Sequence, residues 1–422
     1  MTTAESRPVE ASRPGSAPPR RLDVVTPQPS SWARTAITRA LVRRALERLP
    51  LQARFADGSR AGLGGPVMEI HDPDAFHRRI GTQGLVGFGE SYMAGEWDAP
   101  DLVAVLTVLA GNAAGLIPAP LQRLRGLWAM RRPSVQRNTP TGARDNISRH
   151  YDLSNDLFAL FLDDTLSYSS ALFRGFPAAW PLLADAQHRK IDRLLDLVEA
   201  GPGTRLLEIG TGWGELAIRA AARGAHVTSL TLSREQQALA RDRVRAAGLD
   251  DRVSIELCDY REATGTYDAV VSVEMIEAVG EEFWPVYFAT LDARLAPGGR
   301  VALQAITMPH DRMLASRDTF TWIQKYVFPG GLLPSVEAVD EVTRAHTSLR
   351  TLRRDGFGAH YAETLRLWRE RFTERAGEVA ELGFDETFRR MWTFYLAYSE
   401  AGFRSGYLDV QQYLFTKETP AP

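Results

Sequence analysis

The sequence predicts an α/β protein: a parallel sheet covered by helices on both faces, preceded by a smaller mixed amino-terminal region. Three observations predict it. From about residue 140, short apolar runs (TRLLEIG, HVTSLTL, RVSIELC, YDAVVSVEM and RVALQAIT) alternate with helix-like pieces. That alternation is the mark of a parallel sheet with helical crossovers. The stretch LLEIGTGWGELAIRA, residues 206–220, joins an apolar run to an amphipathic one through three glycines. The segment from about 308 to 405 is mostly helical by pattern and interrupts the rhythm, as a cap over the sheet's ligand edge would.

A chain of 422 residues has room for two domains. Its net charge of −2 gives no whole-molecule attraction to nucleic acid, so none is expected as a partner. The single cysteine, Cys258, excludes a disulfide framework and a cysteine zinc cluster and fits a reducing, cytoplasmic compartment. No metal site is expected. Residues 1–30 are rich in Pro, Ser and Arg without apolar periodicity, which predicts a disordered tail rather than a signal peptide.

The run SSWARTAITRALVRRALERL, residues 30–49, has helical spacing. A small mixed region follows, and in GFGESYMAGEWDAPDL, residues 87–102, either Asp98 or Asp101 is placed to cap a helix. Residues 102–121 carry no charge and approach the length of a membrane span, but Gly111, Asn112, Gly115, Pro118 and Pro120 interrupt them. A buried helix followed by a loop is expected. Residues 121–137, LQRLRGLWAMRRPSVQR, hold five arginines and no acid, with Leu124, Leu127, Trp128 and Met130 interleaved. They read either as a solvated linker helix or as a helix lying on anionic lipid.

In the glycine turn, Gly210, Gly212 and Gly214 follow a strand ending near Ile209, and a helix is expected from about Trp213. Glycine permits positive φ and close backbone approach, and the helix start points free N–H groups at whatever lies above. The G-x-G-x-G spacing is tighter than the dinucleotide G-x-G-x-x-G. No acid ends the second strand, where Thr231, Leu232 and Ser233 stand in place of a ribose carboxylate. An acid appears one strand later, at Asp259, beside Tyr260, which is placed to cover an adenine. Glu208, at the end of the first strand, is placed to accept from an ammonium group. A nucleoside carrying an amino-acid end, such as S-adenosylmethionine, satisfies these features better than a dinucleotide does. On the residues alone, a nicotinamide enzyme or another ligand stays open.

Several ordered motifs go further. HYDLSNDLFALFLDDTLSYSSALF (150–173), LLEIGTGWGE (206–215), TLSREQ (231–236), VSVEMIEAVG (271–280), WIQKYVFPGGLLPS (322–335) and HYAETLRLWRERF (360–372) resemble the cyclopropane-fatty-acid synthase family. GESYMAGEWD (89–98) resembles that family's amino-terminal lipid-binding domain. SVEMIEAVG, LQAITMPH (303–310) and YSEAGFRSGYLDV (398–410) are most similar to the branch that makes 10-methylene, tuberculostearic-type chains from oleoyl phospholipid. The resemblance implies a Rossmann-like S-adenosylmethionine methyltransferase sheet with helical cap insertions, plus a smaller amino-terminal α+β lipid-binding domain. The implied boundaries are a tail over 1–30, the lipid-binding domain over 31–120, a basic linker over 121–139, and the catalytic domain over 140–422 with its cap at about 308–405.

Carried onto this chain, the resemblance puts Tyr168 and Ser169 beside the sulfonium. Gly210, Thr211, Gly212 and Gly214 cradle the methionine part. Thr231 and Gln236 replace the ribose acid, and Asp259 and Tyr260 flank the adenine. Relatives hold a bicarbonate near the reacting alkene, and the matching positions are Glu277, Tyr361, Gln304, Ser170 and Ile306. Four positions depart from the pattern: Gln304 and Ala278 stand where relatives have histidine, Ser170 and Ser399 where they have cysteine. Glutamine donates a hydrogen bond but does not titrate near neutrality. A covalent cysteine mechanism is excluded. His360 reads as a structural hydrogen-bonder, and Tyr361, Leu365 and Trp368 share a helical face.

The implied substrate is an unsaturated acyl chain of a membrane phospholipid, met by a protein peripheral to the inner face of the membrane. A homodimer and a partner reductase for the methylene product are implied as well. A cyclopropane product, a small-molecule methyltransferase and a catalytically silent lipid-binding module are the competing readings.

Overall fold

The computed structural model describes residues 30–113, 154–317 and 319–417, with 133, 136–139, 142, 143 and 146 between them. The expected tail, the arginines at 123, 125, 131 and 132, and the HYD start of the 150–173 motif lie outside the described residues.

Ser31 caps the first helix, Trp32–Leu46, by accepting from the Arg34 N–H at 3.3 Å. A small sheet follows, built from β1 (Gln52–Phe55), β2 (Arg60–Ala61), β3 (Val67–Ile70) and β4 (Trp97–Asp98), in the order β2-β1-β3-β4. Asp101, not Asp98, caps the apolar helix Leu102–Gly111, accepting from the Ala104 N–H at 2.9 Å. Among the described residues no helix is long and apolar enough to cross a membrane.

The motif at 89–98 is a docking surface for the helical cap. A Cβ on Gly89 would sit 2.4 Å from the Trp322 ring, so only glycine lets that indole approach. Glu90 is buried and accepts from Tyr326 Oη at 2.7 Å and from Lys325 Nζ. Arg390 reaches the Tyr92 carbonyl at 2.7 Å and Asp98 at 3.0 Å, and its guanidinium lies over the Tyr92 ring. Phe394 packs edge-on to Trp322 with ring centres 4.8 Å apart. The amino-terminal elements and the cap therefore share one apolar core, which includes Trp97, Trp322, Trp368 and Trp392.

The large sheet has seven strands: β5 (Arg205–Ile209), β6 (His226–Thr231), β7 (Val253–Leu257), β8 (Tyr267–Val273), β9 (Leu295–Thr307), β10 (Leu349–Gly356) and β11 (Asp409–Lys417). Their order is β10-β11-β9-β8-β5-β6-β7. The five strands from β9 to β7 in that order run parallel. Both faces are covered, so side chains alternate between two cores. Leu206, Ala269, Val271 and Ala302 pack on one face with the helices Leu183–Leu197 and Glu215–Ala222. Leu207, Ile209, Val270, Val301 and Leu303 pack on the other with the helix Trp284–Arg294.

Two strands depart from the all-parallel expectation. β11 is antiparallel to β9, and β10 is antiparallel to β11 at the sheet's edge. β10 lies inside the stretch expected to be a helical cap. Its sequence, LRTLRRDG, buries only Leu349, because an edge strand facing water needs no apolar alternation. The rest of 308–405 is helical apart from its connections, ending in the long helices Gly358–Glu374 and Glu386–Arg404.

Candidate active site

β5 has β6 on one side and β8 on the other, so the strand order reverses there. Ligands of open α/β sheets bind in the crevice outside the carboxyl ends at such a reversal. A cavity lies at this point, and Glu208, Gly210, Thr211 and Gly212 line its floor. The three turn glycines all have positive φ: +100° at Gly210, +53° at Gly212 and +92° at Gly214. They serve different ends. A Cβ on Gly212 would meet nothing within 4 Å, so this glycine borders open space. A Cβ on Gly214 would press on Ala240 at 3.2 Å, and Gly214 does not line the cavity. Gly214 thus allows the helix Glu215–Ala222 to lie close to the helix Arg234–Ala246. The expected cradle role does not fall to it, and the helix begins at Glu215 rather than Trp213.

Thr211 Oγ1 donates to Ser229 Oγ at 2.7 Å, and Ser229 Oγ donates to Glu208 Oε2 at 2.5 Å. Burial pushes the Glu208 carboxyl up to about 8, against the opposing pull of Ser229 and Lys190. A carboxyl in that state is ready to ionise when a cation arrives. Lys190, wholly buried on the helix Leu183–Leu197, donates to Ser169 Oγ at 2.7 Å, and burial pulls its ammonium down to about 8. Tyr168 Oη shares a 2.7 Å hydrogen bond with Tyr395 Oη. Thr231 Oγ1 donates to Gln236 Oε1 at 3.0 Å, and both residues line the cavity with Tyr260. Asp259 does not: it is buried behind the wall, accepting from the Arg261 backbone N–H and guanidinium. Its carboxylate is held by this internal ion pair.

At the end of β8, the cavity wall is Glu274. It has φ +50°, a left-handed conformation unusual for a non-glycine residue. Its Oε1 accepts from the Ser170 N–H at 2.9 Å and from Gln304 Nε2 at 2.8 Å. The Tyr361 hydroxyl stands within hydrogen-bonding reach of the same carboxylate. Gln304 is oriented in turn by Gln412, whose Nε2 donates to Gln304 Oε1 at 2.9 Å. These two glutamines are cross-strand partners on β9 and β11. Glu277, three residues on, accepts the Ile306 N–H on one oxygen, while its other oxygen is sequestered without a partner among the described residues. Burial and the adjoining Glu274 push the Glu277 carboxyl up to about 8. Burial and the neighbouring carboxylates hold the Tyr361 phenol well above its ordinary value, so it stays a donor.

Residues 138–413 match the family described as mycolic acid cyclopropane synthetase. The chain belongs to this family. It is 58% identical over 399 residues to the tuberculostearic acid methyltransferase UfaA1 of Mycobacterium tuberculosis, covering 93% of each chain. It is 34% identical over 369 residues to the cyclopropane-fatty-acyl-phospholipid synthase of Escherichia coli, covering 85% of this chain and 91% of that one. The solved structure of the mycolic acid cyclopropane synthase CmaA1, complexed with SAH and CTAB, matches with a TM-score of 0.60 and 30% identity. That match spans 68% of this chain and 99% of the other. S-adenosylmethionine is the cofactor of this family, and the chain is a methyltransferase of lipid acyl chains.

The residues present fit that cofactor: an ionisable buried acid at Glu208, open space above Gly212, and an aromatic wall at Tyr168 and Tyr260. They do not fit the bicarbonate implied by the resemblance. Ser170, Gln304 and Tyr361 are gathered around Glu274, and the Ile306 N–H is taken by Glu277. His360 accepts from the Phe173 N–H at 2.9 Å through Nδ1, a structural contact.

Sequence reasoning missed Glu274 and Lys190. Lys190 was findable, because it falls on the apolar stripe of its helix with Leu183, Ala186, Ile191 and Leu194. Glu274 also carried a signal, being an acid directly after a buried strand, at the same sheet edge as the glycine turn.

Proposed function

We propose that this methyltransferase carries a methyl group from S-adenosylmethionine to the double bond of an oleoyl chain in a phospholipid, leaving a 10-methylene chain. The observation that carries the reading is a single cavity lined by the glycine turn and Glu208 at the end of β5 and by Glu274 at the end of β8. The 58% identity with a tuberculostearic acid methyltransferase, over 93% of each chain, supports the product.

An alkene is a weak nucleophile, so the donor methyl must be held in line with it and away from water. Bound S-adenosylmethionine supplies an electrophilic methyl group at that point. The turn at Gly210–Gly212 and Glu208 hold the amino-acid end, while Tyr168 and Ser169 flank the transfer point. The apolar side chains around Tyr361, namely Trp368 at 6.1 Å and Phe403 at 4.7 Å between ring centres, exclude water from the cation left on the chain. A hydride shift from C10 to C9, then loss of a methyl proton, gives the methylene. Immediate proton loss with ring closure gives a cyclopropane, and the similarity to the Escherichia coli synthase supports that second reading.

Incubation with S-adenosylmethionine and dioleoyl phospholipid vesicles, followed by proton NMR of the released acids, tests the reading. Exocyclic methylene signals are expected. The two products have equal mass, so high-field cyclopropane signals instead would transfer the chain to the second reading. We further propose that the protein docks on the inner face of the membrane through the basic segment at 121–137, works as a homodimer, and hands its product to a reductase. Replacing Arg123, Arg125, Arg131 and Arg132 by Gln should weaken binding to anionic vesicles in a salt-dependent manner.

A further inference from the structure

We propose that the Glu274 carboxylate itself occupies the anion position of this active site and is the base of the reaction, so that the enzyme works without bicarbonate. The inference rests on the methyl-transfer reading above. It starts from a mismatch. A site for a small oxyanion needs donors that converge on vacant space. Here the donors converge on a side chain: the Ser170 N–H at 2.9 Å, Gln304 Nε2 at 2.8 Å and the Tyr361 hydroxyl all address Glu274. Gln304 cannot turn its amide away, because Gln412 fixes its oxygen at 2.9 Å. The backbone is shaped for the same end. Residue 274 adopts φ +50° and its N–H is tied to the Gln304 carbonyl at 2.8 Å, which directs the side chain back into the cavity.

Two carboxyls stand close together here, and their surroundings separate their roles. Burial raises both carboxyls, but Glu274 receives several donors and feels the buried Lys190, whereas Glu277 receives one N–H and leaves one oxygen unpartnered among the described residues. The proton shared by such a pair rests on the poorer site. Glu274 is therefore the ionised member and also the one that lines the cavity. In the step assigned to it, a C–H bond of the newly added methyl carbon breaks. The electron pair forms the exocyclic double bond and quenches the adjacent cation, and the proton goes to a Glu274 oxygen. The carboxylate becomes a neutral acid and returns its proton to solvent after release.

Two measurements on the full chain test this, with 13C-labelled bicarbonate as the probe. The first is line broadening of the bicarbonate NMR signal by the protein; the second is lipid methylation in buffer stripped of carbon dioxide. The wild type should neither broaden the signal nor slow on stripping. Glu274→Gly, which suits the positive φ, should lose about 100-fold or more of its turnover in stripped buffer. It should then bind bicarbonate and recover with it. Glu274→Gln keeps the shape, and should keep S-adenosylmethionine affinity while losing turnover without rescue. A wild type that binds or requires bicarbonate overturns the proposal, as does Glu274→Gly at full activity in stripped buffer. A wild type that methylates no lipid in either buffer would sink the function reading instead, and the binding measurement would still decide who holds the anion position.

Discussion

The two ends of the cavity are built on opposite plans. At the β5 end, polar groups are left ready for a visitor: Glu208 is buried and pushed up to about 8, and Gly212 borders empty space. At the β8 end, the Glu274 carboxylate already has its donors within the protein, while Gln412 Oε1 and one oxygen of Glu277 have no partner among the described residues. A buried acid without a full set of partners is costly, so it persists where a ligand completes it. A carboxylate whose donors come from the protein itself needs no ligand to hold it there. The contrast teaches that one edge of the sheet was shaped around a molecule that comes and goes, the other around a permanent charge.

The largest expected effect is at the open end. Gly212→Val would push a branched side chain into the space above the turn, at a φ that β-branched residues avoid. S-adenosylmethionine affinity should fall by about 100-fold or more, a loss of near 3 kcal/mol. Calorimetry that finds it unchanged would show that the turn holds nothing.

Glu208→Gln comes next. A charge-assisted hydrogen bond is worth about 1.5–3 kcal/mol, so affinity should drop about 10- to 100-fold. The pH dependence carries the sign. In the free protein the raised Glu208 carboxyl is neutral below about 8, and pairing with an ammonium requires it ionised. Binding therefore releases a proton, and wild-type affinity should climb as pH rises from about 6 to 8, by up to about tenfold per unit. The Gln variant should lose that slope. A wild-type profile that falls with pH would mean that Glu208 does not meet the cation.

The same contrast explains what the sequence disclosed. The parallel strands were legible because burial on both faces leaves apolar runs such as LLEI and DAVVSV. β10 was not, since an exposed edge carries no such pattern. The glycine turn announced the open end, because a strained, ligand-facing backbone demands glycine. The closed end was only half legible. Two acids stand in SVEMIE, and the family resemblance singles out only Glu277. The choice between them depends on one backbone angle at 274 and on Gln412, which arrives from a strand that pairs across more than a hundred residues of sequence. Asp259 looked free beside Tyr260, but Arg261 two residues later claims it.

A smaller effect sharpens the division within the closed end. Glu277→Gln keeps an acceptor for the Ile306 N–H and removes only a proton-bearing oxygen that has no described partner. Turnover should fall within about tenfold, the worth of one neutral hydrogen bond, far less than for Glu274→Gln. Equal losses in the two variants would mean that the pair acts as one unit.

The smallest effect separates the third glycine from the first two. Gly214 has φ +92° and its Cβ position presses on Ala240, but it faces away from the cavity. Gly214→Ala should therefore appear as lost stability, about 1–3 kcal/mol from the left-handed conformation and the crowded helix contact, read by urea unfolding. The folded fraction should bind S-adenosylmethionine almost as before, because no atom is added to the binding space. If affinity fell instead and the unfolding midpoint held, Gly214 would have to be returned to the cradle, and the open end would be one residue longer than the geometry makes it.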